Sequence, residues 1–134
     1  MSSVFTKIIN GEIPCYKVGE DLANIAFLDI RPLQRGHLLC VPKMEVDELY
    51  ELPQEAYDSL MSFSQRVAKA LKLSVPCKRI GSIVLGMEVP HAHIHLVPIN
   101  AESELSFANG YLSFTQAEMS ELASTISDAL DSVE

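Results

Sequence analysis

Three of the four histidines of this chain occupy alternating positions within five residues. They are His91, His93 and His95, here called the triad. Successive side chains of a β-strand point to opposite faces of the sheet, so residues two positions apart share a face. A strand over residues 89–97 would place the three imidazoles in one row and turn Ala92, Ile94 and Leu96 toward a core. The pattern predicts this strand, and it assigns the chemistry to one face of the sheet.

The composition predicts a single globular domain over residues 1–134. Hydrophobic residues make up 48% of the chain and charged residues 21%, which suits a packed core. The formal net charge of −8 argues against a nucleic-acid polymer as partner, because such binders carry a basic surface. No apolar run approaches the roughly 18 residues that span a bilayer, and the first residues lack the order of a signal peptide. The three widely spaced cysteines suit reduced thiols, so we expect a cytoplasmic protein with no membrane partner.

The order of the predicted elements favours an α+β fold. A short helix is expected over residues 3–10. The predicted strands cover residues 15–18, 24–29, 37–41, 79–85 and 89–97. The first two form a hairpin, and the short connections between strands favour an antiparallel sheet with helices on one face.

Two longer helices complete this prediction. One begins at Pro53, since proline suits the first helical position, and ends before Pro76. Its predicted buried face consists of Tyr57, Leu60, Met61, Ser64, Val67, Ala68 and Leu71. Thr115 and Glu118 have the spacing of a capping box for a last helix that reaches Val133. The apolar stripe of that helix must cover either the sheet or a second subunit.

The residues alone leave three interpretations of the triad open. The first is a solvated sheet face without a function. The second is a metal site, because two histidines two positions apart can both reach one Zn²⁺ at about 2.0–2.1 Å, with Glu45 or Glu88 orienting them. The third is nucleophilic catalysis at phosphorus, in which the central imidazole attacks and its neighbours hydrogen-bond the phosphate oxygens. The spacing favours the third, since it places a nucleophile between two stabilising groups.

Four blocks of the chain resemble the histidine triad (HIT) superfamily, in the branch that includes the Hint proteins. The matching blocks are residues 4–14, 27–32, 36–43 and 91–97, which follow in the same order and at similar spacing. The resemblance covers about residues 4–98 and implies a HIT-like α+β fold. That fold has a mainly antiparallel sheet of about five strands with a long helix packed on it, and here a C-terminal loop and helix over residues 99–134 are added. It also implies a homodimer.

The resemblance implies a hydrolase or transferase that acts on a small nucleotide. Its substrate would be a nucleoside phosphoramidate or a dinucleoside polyphosphate, attacked at the α-phosphate to release a nucleoside monophosphate. His93 would form a covalent nucleotidyl-histidine, while His91 and His95 would orient it and bind phosphate oxygens. Asp29 would accept hydrogen bonds from the ribose hydroxyls. The apolar slot for the base is implied at Val4, Phe5, Ile8, Phe27 and Ile30.

The chain departs from the family pattern at several positions around the triad. Glu45 occupies a position where the family usually has a histidine, and Glu88 replaces a hydroxyl residue that is often placed near the leaving group. Some bacterial members bind zinc through an N-terminal Cys-x-x-Cys, and the matching positions here are Ser3 and Thr6. We therefore expect no structural zinc and no cofactor. If Glu88 lies beside the triad, its charge should raise the pKa of the nearby histidines.

These departures keep two other functions in view. A nucleotide-binding sensor or scaffold with little turnover would retain the slot without the chemistry. A metal site on the histidine strand is the second alternative. The loop before the triad, residues 83–90, is shortened and lacks the usual asparagine. His37, which follows Gly36, is predicted to be a hydrogen-bonded structural histidine next to the site.

Overall fold

A computed structural model describes residues 2–133 and places five strands in one sheet. The strands are β1 (Lys17–Glu20), β2 (Asn24–Leu28), β3 (Leu38–Pro42), β4 (Arg79–Ile83) and β5 (Ile94–Ile99). Their order in the sheet is β1-β2-β3-β5-β4, and every neighbouring pair is antiparallel. The predicted α+β fold with an antiparallel sheet is confirmed.

The described residues also form three α-helices, each with a local signal for its start. They are α1 (Val4–Ile9), α2 (Gln54–Ser74) and α3 (Gln116–Asp131). The hydroxyl of Ser3 caps α1 by accepting a hydrogen bond from the backbone N–H of Thr6. Pro53 is the N-cap of α2 and not its first residue. Thr115 and Glu118 form the predicted capping box of α3.

The histidine strand is shorter than the alternation predicts. β5 begins at Ile94, so only His95 of the triad lies within it. The backbone N–H of Ala92 donates to the carbonyl of Val46 at 2.7 Å, which ties residues 91–93 to a loop instead of to a neighbouring strand. The alternation of faces nevertheless continues through this irregular segment. Ala92, Ile94 and Leu96 are buried in the main core, as predicted.

The first hairpin also turns later than predicted. Asp21 Oδ1 accepts hydrogen bonds from the backbone N–H groups of Ala23 and Asn24, and this places the turn at residues 21–23. Gly19 and Glu20, which were expected in the turn, therefore belong to β1.

The two faces of the sheet carry separate clusters of buried side chains. The strand residues facing α2 and α3 are Val18, Ala26, Leu28, Leu38, Cys40, Ile94 and Leu96. The opposite face packs against Phe5 of α1 and consists of Ile25, Phe27, Leu39 and Val41. The triad histidines alternate with Ala92, Ile94 and Leu96, and they therefore lie on the α1 side.

The buried face of α2 differs in part from its prediction. The buried residues of α2 are Leu60, Phe63, Ser64, Val67, Ala70 and Leu71. Met61 was expected in this face but is 41% exposed, whereas Phe63 and Ala70 were missed. The stripe is rotated because α2 packs against α3 as well as the sheet.

The C-terminal helix, α3, packs against the core of its own domain. The buried side chains of α3 are Met119, Leu122, Ala123 and Ile126. The helix packs on α2 and on β1. A β-carbon at Gly19 would lie 2.5 Å from Leu130 Cδ2, so the glycine permits this close approach. The apolar stripe of α3 was expected to cover either the sheet or a second subunit. In the structure it packs within its own chain.

Two further properties concern the chain as a whole. Cys15, Cys40 and Cys77 are free thiols. Across residues 2–133, none of the helices has the length and apolar character needed to cross a bilayer.

Truncating the fully buried Ile126 to alanine should lower the free energy of unfolding by about 2–5 kcal/mol, because it leaves a cavity between α3 and the core. Urea denaturation measures this loss. The matched control is Leu22→Ala, at a side chain that is 97% exposed, where the change should stay below about 0.5 kcal/mol. Equal stability of the two variants would show that α3 does not pack on this core.

Candidate active site

A cavity of about 540 Å³ opens on the α1 face of the sheet. Its size falls within the range of about 300–1,000 Å³ that is typical of small-molecule pockets. The predicted site residues that line it are Val4, Phe5, Ile8, Phe27, Asp29, Ile30, Glu88, His93 and His95. The structure thus brings two triad histidines, the predicted slot and Asp29 to one cavity.

Three predicted site residues do not line the cavity. His91 is fully buried and packs edge-on against the ring of Phe5, with the ring centroids 5.7 Å apart. His37 is buried behind His95. Glu45 lies beside the start of α1, where it contacts Ser3. These residues can act on the cavity only through their neighbours.

The protonated nitrogen of His93 is fixed by the backbone. Nδ1 of His93 lies 2.7 Å from the carbonyl oxygen of His91. A carbonyl only accepts hydrogen bonds, so Nδ1 carries the hydrogen and Nε2 carries the lone pair. Burial lowers the pKa of His93, which favours the neutral imidazole. His93 therefore has the form that a nucleophile needs.

A second backbone group fixes the hydrogens of His37 and His95. The N–H of Leu33 donates to Nδ1 of His37 at 2.9 Å, so the hydrogen of neutral His37 is on Nε2. That Nε2–H donates to Nδ1 of His95, also at 2.9 Å. The hydrogen of His95 is then on its Nε2. Burial lowers the pKa of both histidines to about 4, so His95 offers the cavity a neutral N–H donor.

Asp29 lies at the end of β2, next to the paired histidines. Its Oδ1 accepts a hydrogen bond from the backbone N–H of Arg31 at 2.9 Å. Its Oδ2 is 3.5 Å from Nε2 of His37. Burial raises the pKa of this carboxyl. Asp29 lines the cavity and can accept hydrogen bonds from a ligand's hydroxyl groups.

Glu88 does not have the predicted effect on the triad. It lies at the cavity mouth with its carboxylate 3.8 Å from the guanidinium of Arg31, and both side chains are exposed. The predicted rise in pKa applied to a Glu88 beside the triad, whereas Glu88 lies exposed next to Arg31 and is not among the groups that shift the pKa of His93 or His95. The pKa values of His93 and His95 are lowered, and burial is the main cause.

Comparison with known proteins identifies the family of the chain. The HIT domain family model matches residues 10–102. The chain belongs to the HIT domain family. The adenosine 5'-monophosphoramidase of Saccharomyces cerevisiae is 40% identical over 97 residues, which are 71% of this chain and 61% of that protein. The chain therefore spans less than two thirds of the length of that relative.

Solved structures of HIT proteins share the fold. A Hit-like protein from Bartonella henselae, described as involved in cell-cycle regulation, superposes with a TM-score of 0.85 at 29% identity, covering 96% of both chains. A zinc-bound histidine triad family protein from Mycobacterium smegmatis gives a TM-score of 0.83 at 28% identity, covering 98% of this chain and 95% of that one. The predicted HIT-like fold is confirmed.

The departures from the HIT pattern near α1 lie together. Glu45 Oε1 accepts hydrogen bonds from the backbone N–H of Ser3 at 2.7 Å and from the hydroxyl of Thr6 at 2.6 Å. Nε2 of His91 donates to the carbonyl of Pro42 at 2.7 Å, and Nδ1 of His91 is hydrogen-bonded to the hydroxyl of Ser3, also at 2.7 Å. These hydrogen bonds join the start of α1 to the triad.

The group of possible metal ligands differs from the predicted metal site. Asp29, His37 and His95 each offer one ligand atom, and these three atoms lie within 4.8 Å of one another. The group contains only one triad histidine, whereas the prediction used two. A metal ion here would have to displace the hydrogen bond between His37 and His95.

Two aromatic residues of the cavity wall were not predicted. Phe107 and Tyr111 line the cavity from the loop after β5, beyond the residues that the HIT domain matches. The ring centroids of Phe107 and His95 are 5.1 Å apart. The sequence signal was weak, because two aromatic residues in a loop show no periodicity that indicates a contact with the triad.

Acidification should destabilise the protein before most carboxylates titrate. His37 and His95 have pKa values of about 4 in the fold against 6.5 for an unperturbed histidine. As the pH falls through this window, the unfolded chain binds protons that the folded chain does not bind. The free energy of unfolding should therefore be constant above about pH 6.5. Between about pH 6.5 and about pH 4 it should decrease, by a total on the order of a few kcal/mol.

Urea denaturation at about pH 7 and about pH 5 measures this loss. The control is His37→Asn, whose side-chain oxygen can still accept the N–H of Leu33 but which does not titrate. Its stability should fall less between the two pH values. The same loss in both proteins would contradict the assignment of a neutral, buried His37.

Proposed function

We propose that this HIT protein is a nucleotidyl hydrolase or transferase that acts at the α-phosphate of a nucleoside phosphoramidate or dinucleoside polyphosphate. The observation that carries the proposal is that His93 lines the cavity with its Nδ1–H committed to the carbonyl of His91, which leaves the lone pair on Nε2. The relatives support it, since proteins of Saccharomyces cerevisiae and Schizosaccharomyces pombe with 40% and 33% identity are named adenosine 5'-monophosphoramidases. The phosphoramidate is the substrate that these names favour.

In the first step, the lone pair of His93 Nε2 attacks phosphorus and the bond from phosphorus to the leaving nitrogen breaks. The leaving nitrogen takes the electron pair of that bond and a proton from water at the open mouth. His93 becomes a nucleotidyl-imidazolium that keeps its Nδ1–H on the carbonyl of His91. The N–H of His95 donates to a non-bridging oxygen, where negative charge increases.

In the second step, water attacks the same phosphorus atom. The bond between phosphorus and His93 Nε2 breaks, and its electron pair returns to the imidazole. The water releases the proton that the first step consumed, and a nucleoside monophosphate leaves. An acceptor other than water would make the same intermediate a transferase intermediate.

The remaining predicted residues bind the nucleotide. Phe5 and Phe27 are buried with their rings edge-to-face at 5.7 Å, and they form the floor of an apolar slot for the base. Val4, Ile8 and Ile30 lie at its rim. Asp29 accepts hydrogen bonds from the ribose.

His91 has a positioning role in this mechanism. It was expected to bind phosphate oxygens, but its ring is buried outside the cavity. Both of its ring nitrogens are hydrogen-bonded, to Pro42 and Ser3. These bonds hold the carbonyl of His91 where it receives the N–H of His93.

Assembly and location are part of the same proposal. We expect a homodimer in the cytoplasm, on the basis of the resemblance to the Hint branch and of the cysteine usage. Light scattering on the purified protein tests the association state directly.

Replacing His93 by alanine should reduce release of AMP from adenosine 5'-phosphoramidate by at least about 10³-fold, because the nucleophile is lost. Chromatographic measurement of AMP checks this. Quenching the wild type with alkaline denaturant and labelled substrate should trap one labelled nucleotidyl group, because the bond between phosphorus and imidazole nitrogen survives in alkali, and His93→Ala should trap none. The control is Tyr50→Ala, at an 82% exposed residue outside the cavity, which should release AMP like the wild type.

Three outcomes separate the alternatives. If His93→Ala keeps full activity, the proposed mechanism is wrong. If the wild type binds AMP more tightly than Asp29→Ala does but forms no product, the protein is a nucleotide sensor or scaffold. Stoichiometric metal in protein purified without an affinity tag or chelator would instead favour a site at Asp29, His37 and His95.

A further inference from the structure

Four rings stand in a row along the cavity. Phe5 lies 4.9 Å from His93, His93 lies 4.9 Å from His95, and His95 lies 5.1 Å from Phe107, measured between ring centroids. The row ends at the apolar slot on one side and at the loop after β5 on the other. If the reacting phosphate binds at the two histidines and the base at Phe5, the cavity next to Phe107 remains for another part of the substrate.

The loop that carries Phe107 is fixed at both ends. Leu105 packs against the buried side chains of Leu33, Val97 and Ile99. The backbone N–H of Leu112 donates to the carbonyl of Pro32 at 2.8 Å. Between these anchors, residues 107–109 form a 3₁₀ turn. The loop therefore holds Phe107 and Tyr111 as a wall of the cavity.

The side chains around this end of the cavity are large, apolar and accessible. Tyr111 is 60% exposed, and Leu85 and Met87, which line the same cavity, are 59% and 89% exposed. Exposed apolar side chains that are scattered singly are ordinary, whereas a contiguous exposed apolar patch or groove marks a binding surface. Here they continue the wall of the cavity that holds His93 and His95.

The charges at the mouth disfavour an anionic group. Arg31 is the cationic side chain among the described residues that line the cavity, and its guanidinium lies 3.8 Å from the carboxylate of Glu88. Asp29 adds a second carboxylate to the lining. A polyphosphate that extended from the triad toward Phe107 would find no unpaired positive charge among these residues. An amine with an apolar substituent would meet apolar side chains and a carboxylate.

We propose that Phe107 and Tyr111, with Leu85 and Met87 of the same cavity, form the subsite for the leaving group and select amines that carry an apolar or aromatic substituent. The inference rests on the proposed function and narrows its substrate class to phosphoramidates. The leaving amine takes the electron pair of the broken bond and a proton from water, as in the first step above. The aromatic wall contributes by binding the substituent while that bond breaks.

The test compares two adenosine phosphoramidates of similar amine basicity, one of phenylethylamine and one of ethylamine. The wild type should have the higher kcat/KM for the phenylethylamine compound. In Tyr111→Ala the ratio of the two kcat/KM values should fall by about three- to tenfold, the effect of losing one aromatic contact. Phe107→Leu should lower the ratio less, and Tyr50→Ala should leave it at the wild-type value.

The outcomes distinguish this inference from the proposed function. If the wild type hydrolyses neither compound, the proposed function fails. If it hydrolyses both and the ratio is the same in Tyr111→Ala, only the leaving-group subsite is overturned. Weaker binding of AMP to Tyr111→Ala would place Tyr111 beside the nucleotide and overturn the assignment. A further outcome is that Tyr111→Ala changes the association state and lowers kcat/KM equally for both compounds. That result would mean that Phe107 and Tyr111 form a contact between subunits, and it would contradict the proposal.

Discussion

The hydrogen bond from Nδ1 of His93 to the carbonyl of His91 depends on where β5 begins. In a strand that extended to residue 89, this carbonyl would point along the sheet toward a neighbouring strand. Because the N–H of Ala92 bonds to Val46 instead, residues 91–93 leave the ladder and their backbone is available to the imidazoles. The late start of β5 and the placement of the hydrogen on Nδ1 of His93 therefore have one cause. The remaining groups of the site are arranged around this segment.

Backbone groups also keep the histidine cluster uncharged. The N–H of Leu33 determines the hydrogen of His37, and His37 in turn determines that of His95. A proton added to Nδ1 of His37 would oppose the N–H of Leu33, and burial already lowers the pKa of the ring. The imidazoles of His37 and His95 can lie within hydrogen-bond distance of each other because neither ring carries a charge that would repel the other. The cavity is thus lined by two neutral imidazoles, those of His93 and His95, as the proposed mechanism requires.

Much of the fold and part of the site followed from local patterns in the sequence. Alternation placed Ala92, Ile94 and Leu96 in the core, and the capping box located the start of α3. Asp29 and the apolar slot followed from the family resemblance. The residue at which the histidine strand begins could not be predicted from local patterns, because the tertiary hydrogen bond from Ala92 to Val46 determines it. The wall of Phe107 and Tyr111 was missed for a similar reason, since a contact between a loop and a distant strand leaves no periodic signal.

The substitution at Glu45 becomes intelligible once its partners are known. A carboxylate oxygen can accept two hydrogen bonds at once, here the N–H of Ser3 and the hydroxyl of Thr6. The hydroxyl of Ser3 is in turn hydrogen-bonded to Nδ1 of His91, whose carbonyl receives the N–H of His93. A metal ion could join the same elements through thiolates and imidazoles, and in this chain three polar side chains join them by hydrogen bonds. Glu45 is therefore linked to His93 by hydrogen bonds that run through Ser3 and His91.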